Sequence, residues 1–340
     1  MKPRILLARA TFPDIIERLE AHFDVERNAT DQPFSADELR RRMADKTGAM
    51  LMGAERIDAA LIAACPQLRA VANCAAGYNN FDLPAITKAG IIATNTPDIS
   101  NDSVADLAWG LLIAASRRMV ESDQHVRSGS WRGFAYNLFL GVDLHHSTLG
   151  IVGMGRIGRA VARRAAGFDM KVMYHNRSRL DPELERASGA RYVPLDELLA
   201  QADHVMLTLP YSVDAHHLIG APQLAQMKRT ATLVNIARGG IVDDAALAQA
   251  LKDGTIASAG LDVYENEPAL HPELLHAPHL VMTPHTGSAT TAARRALANL
   301  AVDNLLAALD VGPAAGRPPC ILNPEVLTQR AAPTLQSGVR

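Results

Sequence analysis

The 340 residues carry a formal net charge of −2, with 48% hydrophobic and 21% charged side chains. That balance fits a globular chain with ample core, and the length is natural for two domains. It excludes the basic footprint of a nucleic-acid binder, and an aromatic content of 4% argues against stacking platforms for single strands.

The opening Met1-Lys2-Pro3-Arg4-Ile5-Leu6-Leu7-Ala8 has too short an apolar run for a signal peptide. No stretch approaches about 18 uninterrupted apolar residues, so no membrane span is expected and the cytoplasm is the expected compartment. Cys65, Cys74 and Cys320 have no metal-ligand spacing and read as free thiols; no metal is expected.

The first hundred residues alternate short apolar strands with helices. Strands are expected at 5–8, 49–52, 70–74 and 91–94, and helices at 13–21, 35–45, 58–64 and 82–89. Such alternation implies an α/β fold with a parallel sheet covered on both faces. One long helix is expected over 102–120. The segment Ser122 to Leu140 carries Trp131, Phe134, Tyr136 and Phe139. These aromatics suit either a subunit interface or a core.

At Leu149 the strand–helix alternation restarts. The run Leu149-Gly150-Ile151-Val152 reads as a buried strand, then comes Gly153-Met154-Gly155-Arg156-Ile157-Gly158, then a helix over 157–168. Strand, glycine turn and helix together are the context of a dinucleotide-binding fingerprint. Gly153 permits the tight turn, Gly155 lets a pyrophosphate approach the backbone, and Gly158 lets helix and strand pack closely. The helix N-terminus offers free N–H groups to the phosphates. Further strands are expected at 171–174, 204–207, 233–235, 257–261 and 281–283, which makes a six-stranded doubly wound sheet. One more helix is expected over 289–308, and 328–340 is expected to be a disordered tail.

An NAD-binding fold places a carboxylate at the end of its second strand, on the ribose hydroxyls. Here that stretch is Tyr174-His175-Asn176-Arg177-Ser178-Arg179, with two guanidiniums and a hydroxyl instead. A 2′-phosphate needs cationic, hydrogen-bond-donating partners, so NADP(H) is expected over NAD(H), with Asn176, Arg177, Ser178 and Arg179 as contacts.

Three late strand ends carry chemistry: Arg238 before Gly239-Gly240, then Asp262 and Glu267, then His285. Ligands of open parallel sheets bind outside the carboxyl ends of the strands, so these segments should converge. Hydride delivery to a ketone leaves an alkoxide that needs a proton. A histidine supplies it near neutral pH, a carboxylate supports the imidazolium, and an arginine forks onto a substrate carboxylate. On residue type alone His285 is one of 12 histidines, and the joint pattern is what singles it out.

The chain resembles the D-2-hydroxyacid dehydrogenases over nearly its whole length. The matching stretches are Leu149 to Gly158, Val234-Asn235-Ile236-Ala237-Arg238-Gly239-Gly240-Ile241-Val242-Asp243, Gly260 to Pro268 and Pro284 to Thr290. Within that family it looks most like bacterial glyoxylate/hydroxypyruvate reductases, including the 2-ketogluconate reductase group, through Gly141 to His146 and the arginine-bearing second-strand turn. The resemblance implies two Rossmann-like doubly wound parallel-sheet domains, with a nucleotide-binding domain (101–286) inserted into a substrate domain (1–100 plus 287–327). It implies Arg238, Glu267 and His285 as catalytic residues. Met52, Gly53, Ser288 and the backbone amides of Ala76 and Gly77 would join Arg238 and His285 around the substrate. Val104, Arg156, Ile157, Leu209, Pro210, Ile236, Ala237, Asp262, His285 and Gly287 would lie near the dinucleotide. A homodimer through the nucleotide-binding domain is implied. Asp106 stands where relatives often carry Glu, a conservative departure.

The expected activity is NADPH-dependent reduction of small 2-keto acids to D-2-hydroxy acids, with glyoxylate, hydroxypyruvate and 2-ketogluconate as candidates. Alternatives are a D-lactate- or phosphoglycerate-like dehydrogenase, or a dinucleotide-sensing binding protein, for which a complete catalytic set is unneeded.

Overall fold

A computed structural model describes residues 2–331. The chain divides into two units, one running to Ser100 and resuming at Thr290, the other spanning Asn101–Ala289.

The first unit holds a five-stranded parallel sheet of β1 (Arg4–Leu7), β2 (Asp24–Arg27), β3 (Gly48–Leu51), β4 (Ala70–Asn73) and β5 (Ile92–Thr94), in the order β2-β1-β3-β4-β5. β3 and β4 are buried at every residue, as strands covered on both faces must be. That is why their continuous apolar runs were legible. β2 is a polar edge strand and has no such run. The helix Thr291–Ala308 returns to this sheet, burying Leu297, Ala301 and Leu305 against Ile5, Leu7, Met50 and Ile92. Asn323 ties the chain end to β5, accepting the Ala93 amide at 2.9 Å and donating to the Ile91 carbonyl at 2.9 Å. The last described helix runs from Glu325 to Ala331. Residues 328–331, expected in a disordered tail, are therefore helical, and 332–340 lie outside the described residues.

The second unit holds seven parallel strands rather than six: β6 (Thr148–Val152), β7 (Lys171–His175), the short β8 (Arg191–Tyr192), β9 (His204–Leu207), β10 (Thr232–Asn235), β11 (Ser258–Leu261) and β12 (Leu280–Met282). Their order is β12-β11-β10-β9-β6-β7-β8. β6 pairs with β7 on one side and β9 on the other. The winding reverses there, which opens a crevice at the carboxyl ends of the two strands.

The helix expected over 102–120 is two helices, Asn101–Ser116 and Met119–Arg127. The amide of Val142 takes the Ser116 carbonyl at 2.9 Å, and Arg118 adopts a left-handed φ of 52° at the break. The first of them packs along the helix Arg156–Ala165 that follows the glycine turn. Trp109 stacks on Phe168 at 4.8 Å between ring centroids, its Nε1 donates to the Val161 carbonyl at 3.2 Å, and Arg164 reaches Asp106 at 2.7 Å.

The aromatic segment after these helices is not core. Trp131 is 57% exposed, and Phe134 and Tyr136 are each 89% exposed. Phe139 alone is partly covered, by Arg118 and His125. All three cysteines are free thiols, and burial pushes Cys74 up to about 12 with the Arg294 charge opposing it.

Candidate active site

The glycine turn has the shape its sequence predicts. Gly153 sits at φ 103°, and a β-carbon there would lie 2.5 Å from the Leu209 amide nitrogen. One on Gly158 would lie 2.4 Å from the Gly153 carbonyl oxygen, which also accepts the Thr208 hydroxyl at 2.6 Å. A β-carbon on Gly155 would meet nothing within 4 Å. The second glycine thus leaves open space at the start of the helix Arg156–Ala165, where a pyrophosphate can approach amides and the positive end of the helix dipole. Leu209 and Pro210 follow β9 beside this turn. The residues present fit a dinucleotide.

At the end of β7, the Asn176 side chain is tied back to the glycine turn, its Oδ1 accepting the Met154 amide at 2.7 Å. Arg177 and Ser178 are exposed, and among the described residues Arg177 has no ion pair. Arg179 is forked onto Glu185, at 2.8 and 2.6 Å. The two arginines, equivalent in sequence, are therefore not equally available.

The three late strand ends build one constellation. After β10, Asn235 Oδ1 accepts the Ala237 amide at 3.0 Å and its Nδ2 donates to the Arg238 carbonyl at 3.2 Å. This local loop, with buried Ile236 and Ala237, fixes the backbone that carries Arg238. After β11, the segment 264–267 is held from both sides. The Glu265 amide donates to Asp244 Oδ2 at 3.0 Å, and the Tyr264 amide donates to Glu267 Oε1 at 2.7 Å. The Tyr264 hydroxyl spans the Leu261 and Thr283 carbonyls at 3.1 and 2.9 Å. After β12, His285 takes φ 53° and its Nδ1 lies 2.8 Å from Glu267 Oε2.

Asp262 governs that last turn. Its Oδ1 accepts the Thr283 hydroxyl at 2.6 Å and the Thr286 amide at 2.7 Å, and Oδ2 accepts the Gly287 amide at 2.8 Å. Oδ2 keeps acceptor capacity beyond that bond. A β-carbon on Gly287 would lie 3.2 Å from Asp262 Oδ2 and 3.3 Å from Val104 Cγ2, so the structure brings together three residues expected near the dinucleotide.

The electrostatics follow the geometry. Burial pushes the Glu267 carboxyl upward, but the bonds from His285 and the Tyr264 amide, with the His285 and Arg238 charges, hold it below the usual carboxylate range. An ionised carboxylate only accepts, so Nδ1 of His285 carries the proton toward Glu267 and Nε2 is the outward nitrogen. The His285 side chain is half exposed. Burial lowers Arg238 from its ordinary value, with the Glu267 charge opposing, and the guanidinium stays cationic. Its Nη1 donates to the Ala237 carbonyl at 2.7 Å.

The remaining candidates lie in the first unit, apart from half-buried Ser288. Met52 and Gly53 follow β3, and a β-carbon on Gly53 would lie 3.4 Å from Ala75 Cβ, so this turn touches the one after β4. There Asn73 Nδ2 donates to the Gly77 carbonyl at 2.7 Å and Asn95 Nδ2 to the Ala76 carbonyl at 2.7 Å. With both carbonyls tied back, the Ala76 and Gly77 amides donate no hydrogen bond among the described residues.

Asn235, Asp244, Thr208, Asn73 and Asn95 were missed by the sequence reading. Asn235 alone left a local signal, an Asn closing a strand two residues before the amide it accepts. Asn73 reaches only four residues ahead, to Gly77, and the other three act across distances in the chain that no spacing reveals.

Residues 109–287 match the family model described as D-isomer specific 2-hydroxyacid dehydrogenase, NAD binding domain. A glyoxylate reductase of Thermococcus onnurineus is 46% identical over 334 residues, covering 97% of this chain and 98% of that protein. Glyoxylate/hydroxypyruvate reductase B of Serratia proteamaculans is 43% identical over 91% of this chain and 95% of its own length. Among solved structures, an NADPH-dependent glyoxylate/hydroxypyruvate reductase from Sinorhizobium meliloti, in complex with NADP and malonate, superposes with a TM-score of 0.84 at 34% identity, covering 95% of this chain and 98% of that one. A domain-length family match and near-full-length relatives accompany the assembled strand ends: this chain belongs to the D-isomer specific 2-hydroxyacid dehydrogenases, enzymes that depend on a nicotinamide dinucleotide.

Proposed function

We propose that this enzyme reduces small 2-keto acids, glyoxylate and hydroxypyruvate first among them and 2-ketogluconate as a further candidate, to D-2-hydroxy acids with NADPH. The carrying observation is the 2.8 Å contact between His285 Nδ1 and Glu267 Oε2, with Arg238 on the neighbouring strand end. The reduced nicotinamide, when bound, supplies the hydride that reaches C2. Arg238 forks onto the substrate carboxylate and polarises the C2 carbonyl. His285 gives its Nε2 proton to the carbonyl oxygen as charge develops there, and Glu267 stabilises the imidazolium and fixes its orientation. The amides of Ala76 and Gly77 receive the substrate carboxylate, with Met52, Gly53 and Ser288 as further contacts.

The Asn101–Ala289 unit is the dinucleotide-binding domain in this reading. The open space over Gly155 takes the pyrophosphate, Arg177 with Ser178 and Asn176 takes the 2′-phosphate, and Arg179 stiffens the turn from Glu185. The exposed aromatics Trp131, Phe134 and Tyr136 suit a homodimer interface on this unit.

The deciding experiment follows the loss of reduced-nicotinamide absorbance with hydroxypyruvate, glyoxylate and 2-ketogluconate, with NADPH and NADH side by side. Rapid NADPH oxidation with little from NADH is the expected result. NADH preference overturns the reading of the second-strand turn, and no turnover with any of the three acids overturns the substrate class.

A further inference from the structure

Outside this constellation, two consecutive histidines point at one carboxylate. His217 Nε2 lies 3.0 Å from Glu265 Oε2, and His216 Nε2 lies 4.0 Å from Glu265 Oε1, so one oxygen faces each ring. Neighbouring side chains ordinarily diverge. Here His217 takes a left-handed φ of 49°, its amide donating to the Gly240 carbonyl at 2.7 Å, and the two imidazoles stack at 4.0 Å with 20° between planes. One ligand atom from each of the three residues lies within 4.8 Å of the others.

The second nitrogens also have oxygen neighbours. Tyr211 Oη lies 3.3 Å from His216 Nδ1, and Asp243 Oδ2 lies 3.8 Å from His217 Nδ1. Tyr211, within hydrogen-bond distance of His216 Nδ1, can hold that ring with Nε2 bare, the arrangement by which metal-ligating histidines are oriented, while Asp243 is a more distant charged neighbour of His217. With bonds of about 2.0–2.1 Å, ligand atoms of a tetrahedral zinc site stand about 3.3 Å apart. The three ligand atoms lie within 4.8 Å of one another, so closing on an ion needs side-chain movement of at most about 1.5 Å. All three side chains are part exposed, at 44%, 37% and 30%, which leaves an entry path and an open coordination position for water.

We propose that His216, His217 and Glu265 bind one borderline divalent cation of the zinc class, and that the bound ion slows the enzyme. Two nitrogens and one carboxylate oxygen suit zinc better than magnesium or calcium, which take oxygen ligands. The inhibitory consequence follows from the chain. Glu265 lies two residues before Glu267, and a β-carbon on Gly239, next to Arg238, would lie 1.6 Å from the Tyr264 carbonyl oxygen. The 264–267 segment therefore has no slack against the arginine loop, and pulling Glu265 onto an ion shifts the carboxylate that orients His285. The binding claim stands on the three ligands alone; the inhibition claim rests also on the proposed role of Glu267.

The test is zinc titration of the full chain against a fluorescent chelator of known affinity, with His216→Ala, Glu265→Gln and, as control, the double variant His145→Ala/His146→Ala. One ion per chain is expected in the parent and the control, with binding at least tenfold weaker in both site variants. Equal zinc affinity in His216→Ala and the parent, or loss only in the control, overturns the site. Far-ultraviolet circular dichroism checks that each variant folds. If zinc binds as expected but leaves turnover unchanged, the coupling to Glu267 is overturned while the site stands. Loss of all keto-acid turnover without zinc instead tells against the proposed function and leaves the binding result intact.

Discussion

Asp262 Oδ1 accepts the backbone amide of Thr286 at 2.7 Å, so a carboxylate at the end of β11 fixes the residue that follows His285 on the next strand end. The same group holds Thr283 and Gly287, so it sets the whole turn on which the proposed proton donor rides. Replacing Asp262 with Asn turns one acceptor into a donor facing N–H or O–H groups. Each charge-assisted bond contributes about 1.5–3 kcal/mol. Asp262→Asn is expected to lower kcat at least tenfold and to lower Tm, both measurable on purified protein. Unchanged kcat with a lowered Tm would confine Asp262 to stability.

Arg238 rides on the loop that Asn235 fixes, and its Nη1 donates to the neighbouring Ala237 carbonyl, so the guanidinium is oriented before a ligand arrives. Removing one preorganised donor at a developing oxyanion typically costs about 10²–10³ in kcat. Arg238→Ala is expected to lose at least that factor toward every 2-keto acid, while NADPH affinity by fluorescence titration stays within about threefold of the parent. Arg238→Lys should recover little, because a point charge does not reproduce the bidentate fork. Comparable losses of turnover and cofactor affinity would remove Arg238 from the substrate role.

The unequal engagement of Arg177 and Arg179 separates two outcomes. Arg177→Ala is expected to raise KM for NADPH by roughly ten- to a hundredfold, the worth of about 1.5–3 kcal/mol for a hydrogen bond to a charged group. KM for NADH should barely move. Arg179→Ala should act on NADPH more weakly, since that guanidinium is committed to Glu185. A larger effect from Arg179 would mean that cofactor binding breaks the Glu185 fork.

The sequence carried most of this site because its chemistry sits where strands end. Buried parallel strands such as β6, β9 and β10 are short apolar runs, and Arg238, Asp262 and His285 each follow a strand of the same sheet. What escaped was of two kinds. β2 and β8 are edge strands with polar or part-exposed residues, so no apolar run announces them. The break after Ser116 is set by Val142, 26 residues downstream, which local helix propensity does not register. Likewise Asp244 looks like a second helix-capping carboxylate beside Asp243, and only the fold shows that it reaches Glu265.

Asp244 makes stability depend on pH in a predictable sense. It is 4% exposed, and burial, with the Glu265 and Asp243 charges, raises its pKa from 3.8 to about 6, against the Glu265 amide bond and the His271 charge. A carboxyl raised in the folded state binds its proton more tightly there than in the unfolded chain. Its contribution is fully present below about pH 4 and is lost as pH rises through about 6. A tenfold difference in proton affinity between the folded and unfolded chain corresponds to about 1.4 kcal/mol, so the loss is at most about 3 kcal/mol. Glu267 acts in the opposite sense, since its lowered pKa adds stability that disappears only as pH falls below its ordinary 4.5. Asp244→Asn keeps an acceptor for the Glu265 amide and removes the titration. Thermal unfolding of both proteins between pH 4.5 and 7.5 should therefore show the variant gaining on the parent as pH rises, with the gap opening mainly below pH 6 and level above about 7. A gap independent of pH over that range would mean that Asp244 stays ionised on folding, and that its hydrogen bond outweighs its burial.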